Sequence, residues 1–562
     1  MKSNVQSQRA DTGLSALGIL QEIEACPVLA ERQKQKLCSF FTSYPHRSAK
    51  EITYSDREAY GVYLLQTGVK KKHAEYLHAL DQFKLWYQEM QPLTVVEKRL
   101  SFTDDRIFLL YHPDTRIAKE LFKTADKEEL LWDFSQPASE SFTDQVFELL
   151  NTILMQPMDR KLRRARLLVL KQLYAFGIRY HLSSILHLDL ADEKRFELYL
   201  NQTPHLQRYR KSALSYFRKT LFLQSDSICW DASVWYLERF HLDSARVNVA
   251  NPVRQFSFLE IQDPEHRRYG QQYLRYLLGA TELSIATIRF HYSVCKSCFR
   301  FLEQEAISFT ELKDSVLEDF LHAEKTDCAE TINRKVIVLS QMFHYLSVRE
   351  NLSVPFDSAL HIRKSQPYHY RGNVTEKRME EVIDALSDLD TTLRLMVVTL
   401  FCTGLRKNEV CVLTGDCLSH DGTDGWIRLY QSKLRKEKRI PIPDGLYQML
   451  KQYIETERRT ANDYLFQNAK GDAYNAQTFT NRMRMACGKW NFAQDGYQFR
   501  AHAFRHWFAT ELFEESNLQV VREFLGHDHD DMTKAYIDGI PRQIQEKSHA
   551  YFMEHENEFM KD

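Results

Sequence analysis

Residues 390–410 read DTTLRLMVVTLFCTGLRKNEV. The first fifteen are dominated by large apolar residues, which describes a buried helix. Gly404 supplies the stop, because glycine readily takes the left-handed conformation that ends helices. Arg406 then begins a second helix, and Glu409 lies one turn further on the same face, where it can hold the guanidinium. An arginine beside a tight turn at the end of a buried helix is positioned, whether for a ligand or as half of a structural ion pair. The run 393–405 contains Arg394 and is far shorter than the ~20 apolar residues a membrane span requires, so it reads as core.

The segments around this stretch extend the pattern. WIRLYQSKLRKEKRIPIP (426–443) alternates apolar and polar residues on both sides of a basic turn and predicts a β-hairpin. Five of the eight residues 432–439 are basic, which suits entry into a DNA groove as well as an ordinary solvated turn. The chain after Ala476 returns to helical periodicity. AHAFRHWFATEL (501–512) sets His502 and Arg505 three residues apart, a spacing that His205 and Arg208 repeat without supporting context. FLGHDHDDMTKAYIDG (524–539) ends one helix at Leu525-Gly526-His527 and offers acidic caps for the next, on which Tyr536 lies. A tyrosine there is a core side chain by default, as most of the 28 in the chain are.

Taken in order, TGLRKNEVCVLTGDC, a hairpin lysine, HAFRHWFAT, LGH and Tyr536 resemble the catalytic domain of the tyrosine recombinases, the phage integrase or Xer-like family. Five elements in one order make the resemblance specific over residues 375–545. Residues 264–360 resemble the family's helical core-binding domain; residues 1–260 resemble nothing in it. By position, the resemblance assigns the first catalytic arginine to Arg406 and the hairpin lysine to Lys433, with Lys436 a weaker candidate. The H-x-x-R pair is then His502 and Arg505, the later histidine His527, and the nucleophile Tyr536. Tyr551, further along the C-terminal segment, is the competing nucleophile. The chain departs from the family at Trp507, where Ser or Thr is common, and in the acidic DHDD after the L-G-H box.

The implied chemistry follows from the residue types. A tyrosine hydroxyl attacks the scissile phosphorus, forming a 3′-phosphotyrosine and releasing a 5′-hydroxyl that can later reverse the step. Two planar, permanently charged arginines suit the charge spread over the non-bridging oxygens, with His527 a further donor. His502 is the expected proton acceptor and Lys433 the donor to the leaving oxygen. The arginines take the role a metal would have, so no metal or other cofactor is expected. The leading expectation is a site-specific recombinase, the integrase or transposase of a mobile element. The alternatives are a type IB-like topoisomerase and a catalytically silent DNA-binding accessory protein.

The remaining sequence frames these expectations. At 562 residues the chain exceeds a single core. The expected fold is mainly α and multidomain, with an α+β catalytic domain holding a small antiparallel sheet, preceded by helical domains. The expected division is a helical region 1–260, a SAM-like core-binding domain 264–360 of four or five short helices, a linker 361–374, a catalytic domain 375–545 beginning at a cap on Thr375, and a tail helix 546–562. The formal net charge of -1 excludes a histone-like polycation and leaves room for a local basic face. Between 366 and 562 acidic residues outnumber basic ones, so DNA contact must come from a segregated surface with salt-dependent affinity. Two basic runs, 159–171 and 208–219, either track phosphates or form solvated helix faces. Cys295 and Cys298 have C-x-x-C spacing but lack a second ligand pair, so buried reduced thiols are expected. The expected partners are double-stranded recombination sites, a tetramer on DNA through the tail, and other recombinases or accessory factors. The N-terminus lacks a signal-peptide pattern; a cytoplasmic protein with no membrane partner is expected.

Overall fold

The computed structural model describes residues 18–90, 99–101, 105–323, 328–352, 354, 356–364, 376–431, 436–490, 492, 497–526 and 533. Lys433, His527, Tyr536, Tyr551, the Thr375 cap, most of the linker and the tail helix lie outside them. The described chain forms two compact units, Met1–Arg239 with Ser257–Gln262, and Phe240–Phe256 with Asp263–Asp562. Residues 240–256, neighbours in sequence of the N-terminal region, thus pack with the C-terminal unit.

The N-terminal unit is mainly helical, but not as uniformly as its periodicity implies. Arg106–Phe108 and Leu131–Asp133 pair as a two-stranded antiparallel ladder. Three residues are too few for an alternating pattern to register against the surrounding helices. The two basic runs lie on the helices Arg160–Tyr180 and Pro204–Gln224. Their charges are largely engaged within the unit. Arg163 pairs with Glu120, Arg164 with Glu129, Arg210 with Glu197, Arg218 with Glu193 and Lys219 with Glu238, while Arg166 stacks on Tyr216. Arg163, Arg210 and Arg218 are buried. The phosphate-tracking alternative therefore loses to internal pairing for most of these side chains.

In the C-terminal unit, the segment 264–350 contains four α-helices, Pro264–Ala280, Ile285–Gln304, Asp314–Ala323 and Ala329–Glu350. Two of them, at 20 and 22 residues, are longer than the expected short helices. Cys295 and Cys298 are fully buried in the second. Arg246 donates to the carbonyls of Leu277, Leu278 and Leu283 at 2.9–3.2 Å, satisfying acceptors that the end of the first helix leaves open. Four residues on, Ala250 accepts from Ala476 N at 2.8 Å and joins the core of the following region.

That core is organised by the helix Thr391–Thr403. Asp390 caps it by accepting from Leu393 N, and Gly404 ends it at φ 57°. Leu393, Leu395, Met396, Val397 and Leu400 are buried around its circumference. Each contributes about 1.5–3 kcal/mol on full burial against about 1 kcal/mol for a cap, so packing rather than propensity fixes this helix. It packs against the helices Asp444–Thr456 and Ala501–Glu515 and the strand Lys436–Ile442. Three antiparallel strands, Leu418–His420, Gly425–Gln431 and Lys436–Ile442, form the sheet in sequence order, with Ile427 opposite Ile440 and Gln431 opposite Lys436. Alternation turns Ile427, Leu429 and Gln431 inward from the middle strand, and Ile440 and Ile442 inward from the third. The expected hairpin is therefore present on either side of 432–435.

Candidate active site

The site forms where three turns meet. The first is Gly404-Leu405-Arg406, between the buried helix and the short helix Lys407–Cys411. Arg406 Nη1 donates to Glu409 Oε1 at 2.9 Å, and its backbone N donates to Glu409 Oε2 at 2.8 Å. Glu409, 9% exposed, also accepts from Gln431 Nε2 at 3.0 Å. One carboxylate thus fixes both the arginine and the strand end that leads into the basic turn. This is the ion pair the spacing anticipated, extended by a glutamine that its local sequence did not single out.

The second turn is the start of the helix Ala501–Glu515, which carries His502, Arg505 and His506. Arg505 is 1% exposed. Its Nη1 donates to Gly404 O at 2.7 Å and its Nη2 to Leu525 O at 2.8 Å. Two carbonyls from segments 101 and 20 residues away set the plane of this guanidinium. The His502 imidazole is pushed down to about 4, by burial first and then by the charges of Arg505 and Arg406. Its rim remains exposed, which limits the burial effect, and both causes favour the neutral ring. A neutral imidazole at neutral pH can accept a proton. Trp507, the departure from the family pattern, is partly buried and packs against the central core.

The third turn ends the helix Leu518–Leu525 at Gly526, with φ 69°. The positive φ favours glycine immediately before His527, and a Cβ there would lie 2.9 Å from Gln431 Oε1 and displace that side-chain end. Here the structure adds a residue that sequence reasoning missed. Lys438 donates from Nζ to Phe524 O and lies 5.8 Å from the Phe524 ring centre. Its ammonium is pushed down to about 8 by burial and by the nearby Arg505, with further charge effects from Glu409, Arg406 and Lys436. The signal was present: Lys438 is two residues before Ile440 and four before Ile442, on the inward face of the strand. Lys436, the weaker hairpin candidate, is exposed at the strand's start.

Arg406, Arg505, Lys438 and a neutral His502 therefore gather around three helix ends, with Glu409 braced against Arg406. Such a cluster suits an anion with several oxygens, and places a proton acceptor beside it. Among the described residues of this cluster, no group of three or more metal-ligating side chains meets.

The phage integrase family pattern matches residues 373–541, and the pattern of that family's N-terminal SAM-like domain matches residues 271–350. Over these two segments the chain is similar to the phage integrase family, the tyrosine recombinases. Similar proteins include transposase B from transposon Tn554 of Staphylococcus aureus, 23% identical over 329 residues, 55% of this chain and 51% of that one. A tyrosine recombinase of Pseudothermotoga lettingae is 25% identical over 279 residues, 48% of this chain and 93% of that one. The tyrosine recombinase XerC of Anoxybacillus flavithermus is 28% identical over 259 residues, 42% of this chain and 82% of that one. The chain spans about half the length of the transposases it matches. Among solved structures, the XerH site-specific recombinase bound to palindromic difH substrate is similar at a TM-score of 0.41 and 17% identity, covering 51% of this chain and 89% of that chain. That likeness is too slight to carry an argument. Among the described residues no helix is long and apolar enough to cross a membrane.

Proposed function

We propose that the chain is a site-specific DNA recombinase, the integrase or transposase of a mobile element, that breaks and rejoins DNA through a 3′-phosphotyrosine. The observation that supports it most is the buried fork of Arg505, oriented by Gly404 O and Leu525 O beside the braced Arg406. The family's activity and the names of the relatives point the same way.

In this reading Tyr536 attacks the scissile phosphorus. The new bond joins its oxygen to phosphorus, and the bond to the 5′-oxygen breaks. His502 accepts the tyrosine proton, Arg406 and Arg505 hold the non-bridging oxygens with His527, and Lys433 protonates the departing oxygen. Lys438 adds positive charge and holds the end of the helix that leads to His527. The phosphodiester count is unchanged, so no nucleotide hydrolysis drives the exchange. Residues 264–360 form the core-binding domain and 375–545 the catalytic domain. The tail 546–562 joins neighbouring protomers in a tetramer on two duplexes. Residues 1–260 contact flanking DNA or other recombination proteins.

The test is a suicide substrate bearing the end of the chain's own element. A covalent protein–DNA adduct is expected, and peptide mapping should place the linkage on Tyr536. A linkage on Tyr551, or no adduct with any element end, overturns the reading.

The site's charges also set a pH profile. His502 is neutral above about 4 and Lys438 is cationic below about 8. Cleavage should hold between these values and fall as pH rises through about 8, where Lys438 loses its proton. Lys438→Arg, which stays charged, should carry the plateau to higher pH. An alkaline limb that stays in place in Lys438→Arg would remove Lys438 from the reaction.

A further inference from the structure

The N-terminal unit contains a cluster of side chains that the recombinase chemistry does not use. His187 closes the short 3-10 helix Ile185–His187, and Cys229 and Asp231 lie in the loop between the helix Pro204–Gln224 and the strand Val234–Tyr236. Their ligand atoms all lie within 4.8 Å of one another, the one such group of three among the described residues. We propose that His187, Cys229 and Asp231 bind a zinc ion, with water as the fourth ligand.

The geometry argues for a metal over the two other uses of a thiol, an imidazole and a carboxylate. Cys229 Sγ lies 3.9 Å from His187 Nε2 and 3.0 Å from Asp231 Oδ1, and His187 Nε2 lies 3.1 Å from Asp231 Oδ2. Bond lengths of about 2.3 Å to sulfur and about 2.0–2.2 Å to nitrogen and oxygen imply tetrahedral edges of roughly 3.3–3.6 Å. The observed separations, made through different oxygens of Asp231, lie on both sides of that range, so a turn of the carboxylate and small side-chain shifts would complete the set. A nucleophilic triad would instead need the carboxylate on one ring nitrogen and the thiol on the other. Here both approach Nε2.

Charge and anchoring agree with this assignment. A thiolate and a carboxylate balance a divalent cation, and a neutral imidazole completes a borderline donor set that suits zinc. Binding displaces the thiol proton to solvent. His187 and Asp231 are exposed, which leaves room for the water ligand. The two segments are already joined beside the site, where Ser233 N donates to Leu186 O at 2.9 Å. Ser184 caps the 3-10 helix and exchanges hydrogen bonds with Gln145. A metal would therefore fasten the loop to a turn that is already held. Cys295 and Cys298, despite their C-x-x-C spacing, are buried in a helix of the other unit and take no part.

The test uses the full chain, stripped by a chelator and titrated with Co²⁺ as a spectroscopic stand-in for zinc. One equivalent should produce a near-ultraviolet thiolate-to-cobalt absorption band, which zinc then displaces. Cys229→Ser should lose the band, whereas Cys328→Ser, which removes an exposed thiol elsewhere, should keep it. His187→Gln alters an exposed side chain and leaves the thiol in place; it should weaken Co²⁺ and Zn²⁺ binding more than about 100-fold, beyond the loss seen when outer-shell partners are removed. No band in the wild type, a band that survives in Cys229→Ser, or wild-type affinity in His187→Gln overturns the proposal. None of these outcomes bears on the cleavage site.

Discussion

Replacing Arg505 by lysine should lower single-turnover strand cleavage by about 10²–10³-fold, the loss typical of removing a preorganised donor to developing charge. The substitution keeps the positive charge, so a purely Coulombic role would show little change. What it removes is the fork. Arginine reaches Gly404 O and Leu525 O through two different nitrogens of one rigid plane. A lysine ammonium is a point donor on a flexible stem and cannot span two turns in that way. One buried carbonyl then loses its donor, at about 1–3 kcal/mol, and the two turns lose their link. DNA binding should be retained in a gel-shift assay at moderate salt, because the substitution keeps the positive charge. Cleavage within about tenfold of wild type, equivalent to 1.4 kcal/mol, would show that this orientation does not matter.

The same side chain marks where local sequence stops informing. The buried helix, its glycine stop and the Arg406–Glu409 brace were legible because each depends on neighbours within one turn. The hairpin was legible because alternation persists over seven-residue strands. Arg505 was recognisable as a family position, but its two acceptors come from other segments and no local pattern encodes them. Gln431 belongs to the same class: its partners are Glu409 and the space above Gly526. Lys438 is different. The inward face defined by Ile440 and Ile442 extends to it, whereas the family's hairpin lysine falls by position on Lys433. The basic runs of the N-terminal unit were ambiguous because charge along a helix does not reveal whether acids from elsewhere meet it. Glu120, Glu129, Glu193 and Glu197 do. The zinc-ligand cluster was invisible for the same reason, since His187 and Cys229 are 42 residues apart.

Gly404→Ala should destabilise the C-terminal unit by about 2–5 kcal/mol and abolish most cleavage, through two effects that can be separated. Gly404 has φ 57°, and placing an L residue in the left-handed region costs about 1–2 kcal/mol. A Cβ there would also lie 2.5 Å from Phe508 Cδ1 and 2.9 Å from its Cγ, inside any tolerable contact. Phe508 cannot simply swing away, because its ring packs at 5.0 Å on Phe524, within a cluster that includes Val521 and Leu525. Overpacking of this kind adds about 1–3 kcal/mol. Relief must come from moving the helix Ala501–Glu515, and that helix carries Arg505, whose acceptor is Gly404 itself. The stability loss and the loss of site geometry are therefore one displacement. Gly422→Ala separates the two effects: its φ is 101°, but nothing lies within 4 Å of the added Cβ. It should carry backbone strain alone and leave cleavage intact. In calorimetry of the full chain, Gly404→Ala should lower the transition of the C-terminal unit by several degrees, at about 2 °C per kcal/mol or less for a unit of this size, and clearly more than Gly422→Ala does. Equal shifts in the two variants would mean that Phe508 yields, and that the turn beneath Arg505 is held by glycine's conformation rather than by packing.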